Sequence, residues 1–341
     1  LKVFAALLII LHHLSSYGQI AQDAQTVLPV IMTWLFEYGR YAVQIFLVMA
    51  GYLATQSLTR YANGNFSVHR LLKVILNRYL RLFAPYTAAL IFTIICAYIA
   101  RFWVSDEFVG ESETLTQFLA HLFFIQGILG LDSISAGAWY IAIDWQLYSV
   151  LAILLISFPR YQAVIWVISL LAVSSLLFFN RSGLYEAYFI YFIGSYGLGV
   201  LAYLAKCFDH QSVNRLAKIA LLLIGLLITI SSFQQIWLRN FLAWFIAMTL
   251  LYWGNKPYST QEGSPSAMKV IAWGSQRSYC AFLIHFALIL LANTLYIAAN
   301  LHTYESGTLA IAIILGVVGC SIIAANYLYR WIEVPALRLK I

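Results

Sequence analysis

The sequence predicts an all-α fold, a polytopic transmembrane helix bundle of about ten spans with both termini in the cytoplasm. Hydrophobic residues make up 62% of the 341 residues and charged residues 10%, whereas a soluble domain carries about a quarter charged residues. The mean hydropathy is +0.83. The apolar runs are continuous instead of alternating, which favours membrane helices over barrel strands. These observations predict an integral membrane protein.

Ten apolar segments approach the length of about 20 residues that a membrane-spanning helix requires. They lie near residues 2–20, 41–58, 82–101, 139–157, 162–179, 185–205, 216–232, 238–253, 279–299 and 308–329. The stretch 117–131 is apolar but short, and we interpret it as an interfacial or re-entrant helix.

The distribution of basic residues predicts the orientation of these spans. With the N-terminus in the cytoplasm, all but four of the 20 lysines and arginines fall on the cytoplasmic side, in agreement with the positive-inside rule. The four on the outer side are Arg40, Arg101, Arg181 and Arg239. The loop after Arg101 is acidic and carries Asp106, Glu107, Glu111 and Glu113.

The loops are too short for a soluble catalytic domain, so we expect one membrane-embedded domain over residues 1–341. The chain begins with Leu1, from which we expect further residues before it, and no cleavage site follows the first segment, so we expect that segment to be retained. The net charge of +7 resides in loops between spans, so we expect no nucleic-acid partner. The four cysteines lack C-x-x-C spacing and predict neither disulfides nor a metal site.

Ionisable side chains within spans are the first candidates for chemistry, because they are costly in a bilayer and normally face a cavity or a partner. They are His13, Asp144 and His285. Eleven helical steps bring His13 to within about 20° of the direction of Lys2 and about 16 Å farther along the axis. A basic group at the membrane surface and a deeper imidazole then face the same neighbour. For His13 taken alone, a neutral imidazole bonded to a neighbouring helix is the structural alternative.

Arg78 and Arg81 stand three residues apart, just before an apolar span that contains Pro85. Two guanidinium groups with this spacing can bind phosphates through paired hydrogen bonds. Arg70 and Lys73 enlarge the basic patch, and topology-determining positive charge is the alternative interpretation.

Asp144 lies four residues before Tyr148, which puts both side chains on one face of a helix. A carboxylate there could orient an imidazole or accept a hydroxyl proton, and a structural hydrogen bond to another helix would explain it equally well. Gln44 in "YAVQIFLVMAGYL" and His285 in "SYCAFLIHFALI" are further polar positions in apolar runs. For Glu333, near the end of the chain, we expect a cytoplasmic salt-bridge cluster.

Taken in order, these segments resemble the acyltransferase-3 family of integral membrane acyltransferases over nearly the whole chain. The family's N-terminal signature is a basic residue, ten further residues and a histidine, and Lys2 and His13 match it. Its Arg-x-x-Arg pair is matched by Arg78 and Arg81. The segment "VQIFLVMAGYL" at 43–53 is similar to V-D-x-F-F-V-x-S-G-F-L. The other matched patterns are W-x-L-x-x-E-x-x-x-Y at Trp139, Ile141, Asp144 and Tyr148, S-Y-x-x-Y-L-x-H-x-P in "SYCAFLIHFAL", and Y-R-x-I-E-x-P-x-x-R in "YRWIEVPALRL".

The resemblance implies transfer of an acyl group, commonly acetyl, from cytoplasmic acyl-CoA to a hydroxyl of a cell-envelope glycan or lipid-linked sugar. It implies catalysis by His13, as general base or through a covalent acyl-histidine, with Asp144, Gln44 and Tyr148 as further catalytic residues. The residues expected to bind the acetyl-CoA donor are Lys2, Lys73, Arg78, Arg81 and His285. We expect no metal ion, and a location in the bacterial cytoplasmic (inner) membrane.

Three residues depart from the family's pattern. Gln44 replaces the usual Asp, Ala50 the usual Ser and Asp144 the usual Glu. If the family's Asp orients the catalytic histidine, the neutral amide of Gln44 or another group takes that role here.

Two other functions fit the same composition. The bundle could be a proton-coupled transporter or flippase of a lipid-linked or glycosylated substrate, or a membrane scaffold or sensor. The acceptor, and the choice between acetyl, succinyl and longer donors, stay open. Gly194, Gly197 and Gly199 favour close helix packing, within the chain or between copies in a homo-oligomer.

Overall fold

The computed structural model describes residues 1–61, 66–104, 109–207, 210–254, 266–304 and 306–338. Asp106 and Glu107, which the sequence puts in an acidic outer loop, lie outside these ranges. The described residues form α-helices, short 3-10 turns and one π-helical segment, and contain no β-strand. The all-α prediction is confirmed.

The principal helices follow one another with short connections. They are α1 (Lys2–Ser16), α2 (Gly18–Val27), α3 (Pro29–Tyr38), α4 (Ala42–Leu58), α5 (Val68–Ala100), α6 (Leu115–Leu122), α7 (Ala138–Ser157), α8 (Tyr161–Leu177), α9 (Phe189–Cys207), α10 (Gln211–Ser231), α11 (Leu238–Trp253), α12 (Ser266–Ala298) and α13 (Gly307–Leu328).

Among the described residues, eight helical stretches are long and apolar enough to cross a membrane, or nine if the bent pair α1 and α2 counts as one span. This result confirms a polytopic helical membrane protein. The count differs from the predicted ten at two places: the first segment is bent between α1 and α2, and the segment 238–253 forms a helix of only 16 residues. Such a helix is about 24 Å long, shorter than a hydrocarbon core of about 30 Å. The orientation of the termini stays a prediction.

The stretch 117–131 does not continue as a spanning helix. Helix α6 ends at Leu122, and turns follow it. Conversely, α5 begins well before the apolar run at 82–101, so that Arg78 and Arg81 lie inside one continuous helix of 33 residues rather than ahead of it.

The chain packs as two compact units. Unit 1 comprises Leu1–Ala42, Leu80–Trp139 and Thr260–Lys340, and unit 2 comprises Val43–Tyr79 and Tyr140–Ser259. Within unit 1, α12 packs against α1 and α13, and α13 against α2. Within unit 2, α9 packs against α8, α10 and α11. The prediction of a single domain over residues 1–341 stays a prediction.

A sharp bend between α1 and α2 fixes the end of the first helix. Gly18 has a φ of +79°, in the left-handed region that glycine adopts without a steric penalty, and the two helix axes differ by 93°. The backbone N–H of Ile20 donates to Oδ1 of Asn293 on α12 at 3.2 Å. A Cβ on Gly18 would overlap the Asn293 side chain. His13 therefore lies in the last turn of α1, next to α12.

Glycines allow α9 to pack closely inside unit 2. A Cβ on Gly199 would overlap the backbone carbonyl of Val48 on α4, and one on Gly51 of α4 would overlap that of Tyr196 on α9. A Cβ on Gly194 would meet the Leu176 side chain on α8. Small residues at such crossings are typical of membrane helix pairs. The glycine motif thus packs within the chain, and a homo-oligomer stays a prediction.

His121 joins α6 to the turns that follow it in unit 1. Its Nδ1–H donates to the Gln117 carbonyl at 2.8 Å, and its Nε2 accepts from the Ile134 N–H at 3.1 Å. Both bonds require the neutral ring, because a protonated Nε2 cannot accept. Burial lowers the pKa of His121 below its ordinary value of 6.5, against the opposing effect of the Gln117 hydrogen bond.

We predict that these turns loosen in mild acid. Because the pKa of His121 is lower in the folded protein than in the unfolded one, the unfolded protein binds a proton first as the pH decreases. The contribution of His121 to stability is therefore constant above about pH 6.5 and falls below that value. The measurement is hydrogen exchange at the Ile134 amide between pH 8 and pH 5, corrected for the intrinsic rate. His121→Ala should cost about 1–3 kcal/mol because a buried donor loses its acceptor. Equal effects of the exposed control His69→Ala would contradict the prediction.

Candidate active site

Unit 1 contains a pair of buried imidazoles. His13 Nδ1 lies 2.6 Å from His285 Nε2, which is hydrogen-bonding distance. The helices α1 and α12 that carry the two residues pack against each other. The sequence singled out both histidines, but assigned His285 to the donor-binding set. The structure shows His13 as a hydrogen-bonding partner of His285, and donor binding by His285 stays a prediction.

The two rings lie edge to edge. Their planes differ by 3° and their centroids are 4.9 Å apart. Two rings in face-to-face van der Waals contact could not bring their nitrogens to 2.6 Å, so the two imidazoles lie in nearly one plane with the nitrogens pointing at each other. This is the linear arrangement that an N–H···N hydrogen bond favours.

Exposure distinguishes the two rings. His285 is fully buried at 0%, whereas His13 retains 9% of its surface. Tyr17 lies beside the His13 ring, with centroids 5.6 Å apart. The centroid of the His12 ring lies 5.2 Å from that of His13, and His12 Nδ1–H donates to the Leu35 carbonyl at 3.0 Å. Both histidines are thus buried, and His13 is the one of the two that keeps a small exposed fraction.

The other end of α1 faces a buried carboxylate. Glu333 is 5% exposed and ends the π-helical segment Tyr329–Glu333, a type of distortion common at functional sites. Its Oε2 accepts from Cys280 Sγ at 3.0 Å, and it interacts electrostatically with Arg81 and Lys2. Two of the residues expected to bind the donor thus lie near Glu333, and the cytoplasmic salt-bridge cluster stays a prediction.

Unit 2 contains a buried ion pair. Arg78 Nη2 donates to Asp144 Oδ2 at 2.5 Å, and the side chains are 22% and 6% exposed. The same guanidinium lies over the Tyr148 ring, 5.0 Å from its centroid. Asp144 and Tyr148 therefore do share one face of α7, as their spacing predicts. Arg78, expected at the donor phosphates, and Asp144, expected in catalysis, are partners in one contact.

Further tyrosines surround this pair. Tyr140 and Tyr196 both interact electrostatically with Asp144 and Arg78. Tyr196 was not among the predicted residues, and its position next to Ser195 within the glycine motif "IGSYGLGV" was the only signal in the sequence that could have indicated it. Its hydroxyl and Arg78 Nε are buried and make no hydrogen bond to the described residues.

Gln44 and Lys73 have different surroundings. The Gln44 side chain is buried, and its Oε1 accepts from Ser195 Oγ at 2.5 Å. The residue that bonds His13 Nδ1 is His285. Lys73 is exposed on α5. The roles predicted for Gln44 and Lys73 stay predictions.

The comparison with known families decides the class. A family model described as an acyltransferase domain matches residues 1–326, nearly the whole chain. The chain belongs to the acyltransferase-3 family. Searches of curated proteins and of solved structures gave no match. The protein is accordingly an integral membrane acyltransferase, in which the imidazole pair and the Arg78–Asp144 pair are the polar centres described above.

We predict that Arg78 and Asp144 of this acyltransferase depend on each other for stability. Arg78→Ala or Asp144→Ala leaves one charge buried without its partner, which should cost about 3–5 kcal/mol. The double variant should lose less than the sum, with an interaction of about 0.5–3 kcal/mol. The measurement is chemical unfolding in detergent, with exposed Arg160→Ala as control. Additive losses would contradict a direct contact.

Proposed function

We propose that the protein transfers an acyl group, most simply acetyl, from cytoplasmic acyl-CoA to a hydroxyl of a cell-envelope glycan or lipid-linked sugar, with His13 as general base. The observation that carries this proposal is the His13–His285 pair, a histidine with 9% exposure bonded edge to edge to a fully buried one. Family membership supports acyl transfer. The bacterial inner membrane, where acyl-CoA is on one side and the envelope on the other, is the location we propose.

The neighbours of His285 indicate which nitrogen of His13 is basic. The backbone carbonyls of Phe282 and Ala281, one turn earlier on α12, lie near the His285 ring. The geometry between them and His285 Nδ1 does not meet the criteria for a hydrogen bond, and Nδ1 bonds no other described residue. A proton on Nδ1 suits these carbonyls, whereas a lone pair there would be repelled. Nε2 of His285 is then the acceptor, His13 Nδ1–H is the donor, and His13 Nε2 keeps the lone pair that a base requires.

The reaction follows from that lone pair. His13 Nε2 takes the proton of the acceptor hydroxyl while the hydroxyl oxygen forms a bond to the thioester carbonyl carbon. The tetrahedral intermediate then breaks its carbon–sulfur bond, and the leaving thiolate takes the proton from His13. General-base catalysis of this kind contributes typically about 10²–10⁴-fold. In the covalent alternative, His13 Nε2 itself attacks the carbonyl carbon and the thiolate leaves. The acceptor hydroxyl then attacks the acyl-histidine, and breakage of the bond between the acyl carbon and Nε2 returns free His13.

The cations of unit 1 suit the nucleotide end of the donor. Lys2 and Arg81 contribute two positive charges near the carboxylate of Glu333. The group therefore keeps one net positive charge with which to bind phosphate oxygens. Lys2 lies about 16 Å from His13 along the same helix face, a separation that suits a donor with phosphates at one end and a thioester at the other. In unit 2, Arg78 is better suited to orienting Asp144 and Tyr148, and donor binding by Lys73 stays a prediction from the sequence.

We predict that His13→Ala abolishes transfer. Thiol release from acetyl-CoA by purified protein in nanodiscs, with and without an envelope-glycan extract, should fall by about 10²–10⁴-fold because the base is lost. The matched control is His12→Gln, which removes the adjacent imidazole but retains a donor for the Leu35 carbonyl. Near-normal turnover of His13→Ala would refute both the base and the acyl-histidine. Absence of thiol release and of acetyl-CoA binding by the wild type would instead favour the transporter alternative.

We predict that His285 acts through His13. In His285→Gln, an amide oxygen can still accept from His13 Nδ1–H, so kcat should remain within about tenfold of the wild type. In His285→Leu that donor is buried without an acceptor, and the cost of about 1–3 kcal/mol corresponds to a loss of about 5- to 150-fold.

Measuring KM and kcat separately distinguishes a positioning role of His285 from a role in donor binding. The loss in His285→Leu should appear in kcat, with KM for acetyl-CoA unchanged. A rise in KM at constant kcat would instead return His285 to the donor-binding set.

A further inference from the structure

An arginine–tryptophan cluster in unit 2 lies outside the residues used above. It consists of Arg181, Trp237 and Arg239. The two guanidinium groups lie over the Trp237 ring, at 5.6 Å for Arg181 and 4.7 Å for Arg239. Stacking of guanidinium on indole fixes the planes of both cations. Two like charges are thus held around one aromatic ring.

Several donors of this cluster have no acceptor within the described residues. Arg239 donates to the Tyr191 hydroxyl at 2.9 Å and to the Asn180 carbonyl, but its Nε does not donate. Nε and Nη2 of Arg181 and the indole Nε1 of Trp237 are likewise buried without an acceptor. Each buried donor left unmatched is costly, more so when it is charged. Four such N–H groups in one cluster require an explanation.

The local charge and the backbone favour an anion. Glu186 bonds the Tyr191 hydroxyl, so the cluster has two cations and one nearby carboxylate. Trp237 is the N-cap of α11, which has no side-chain cap, and Tyr191 lies in the first turn of α9. The positive ends of two helix dipoles therefore face this region.

We propose that the arginine–tryptophan cluster binds a phosphate group. A phosphate presents three or more oxygens in different directions, which suits donors from two guanidiniums and an indole better than the two oxygens of a carboxylate do. The phosphate comes from the headgroup of a membrane lipid or from a soluble phosphorylated molecule. Exposed apolar side chains flank the cluster in sequence, Leu184 at 83%, Phe233 at 88% and Ile236 at 73%, and these suit contact with acyl chains.

The test compares phosphate binding by Arg181→Gln with that by the wild type in dodecyl maltoside. Arg181 is the informative position because its Nε and Nη2 bond no described residue. In the absence of phosphate, its loss should therefore lower the unfolding temperature by no more than the loss of its stacking on Trp237. The unfolding midpoint is followed against inorganic phosphate at constant ionic strength, and against dioctanoyl phosphatidylglycerol with dioctanoylglycerol as its phosphate-free match. Arg40→Gln, an exposed arginine elsewhere in the chain, controls for net charge.

We expect phosphate to stabilise the wild type and Arg40→Gln. In Arg181→Gln, the phosphate concentration at half-saturation should rise about 10- to 150-fold, because charged hydrogen bonds to the phosphate are lost. A response to phosphatidylglycerol alone identifies a lipid headgroup, and a response to inorganic phosphate alone identifies a soluble phosphate. Equal responses of Arg181→Gln and the wild type would overturn the proposal. So would a phosphate-free midpoint of Arg181→Gln well below that of Arg40→Gln. None of these outcomes depends on acyl transfer.

Discussion

The hydrogen bond between His13 and His285 is the contact on which the organisation of unit 1 depends. It joins the last turn of α1 to the middle of α12, and the bend at Gly18 follows within two turns. Asn293, two turns after His285 on the same helix, receives the N–H of Ile20. One face of α12 thus holds both the end of α1 and the start of α2. The end of α1 is therefore fixed from both sides of the bend, and the imidazole has little freedom to leave its partner.

Polar groups within the apolar helices of each unit have local partners. Asp144 is paired with Arg78, Glu333 accepts from Cys280, and Asp23 accepts from Tyr296 at 2.7 Å. Such pairing is expected in a bilayer, where water cannot satisfy a charge or a hydroxyl. A buried polar side chain is therefore insufficient evidence of catalysis in a protein of this kind. His13 is distinguished by its partner, a second imidazole, which in the proposed tautomers leaves His13 Nε2 with a lone pair.

Composition and continuous apolar runs were sufficient to predict the helical membrane fold, because hydropathy responds to the bilayer itself. The spacing of Asp144 and Tyr148 predicted their common face, since helical geometry relates residues four apart. Spacing could not predict the partner of either group. Arg78 and Asp144 are 66 residues apart in sequence, and His13 and His285 are 272 residues apart. No local sequence pattern encodes contacts between residues so far apart. The bend at Gly18 also escaped prediction, because the predicted first span was extended to residue 20 although the polar residues Ser15, Ser16 and Gln19 already interrupt the apolar run.

The partner of His13 has a chemical consequence. A carboxylate beside a catalytic imidazole stabilises the imidazolium that forms when the base takes a proton. A neutral imidazole fixes the orientation and the tautomer through a hydrogen bond but adds no negative charge. In the proposed mechanism the protonated His13 is therefore a short-lived species, and its proton passes readily to the leaving thiolate. An acyl transfer needs that return of the proton, so a neutral partner suits a reaction in which the base is regenerated by the leaving group.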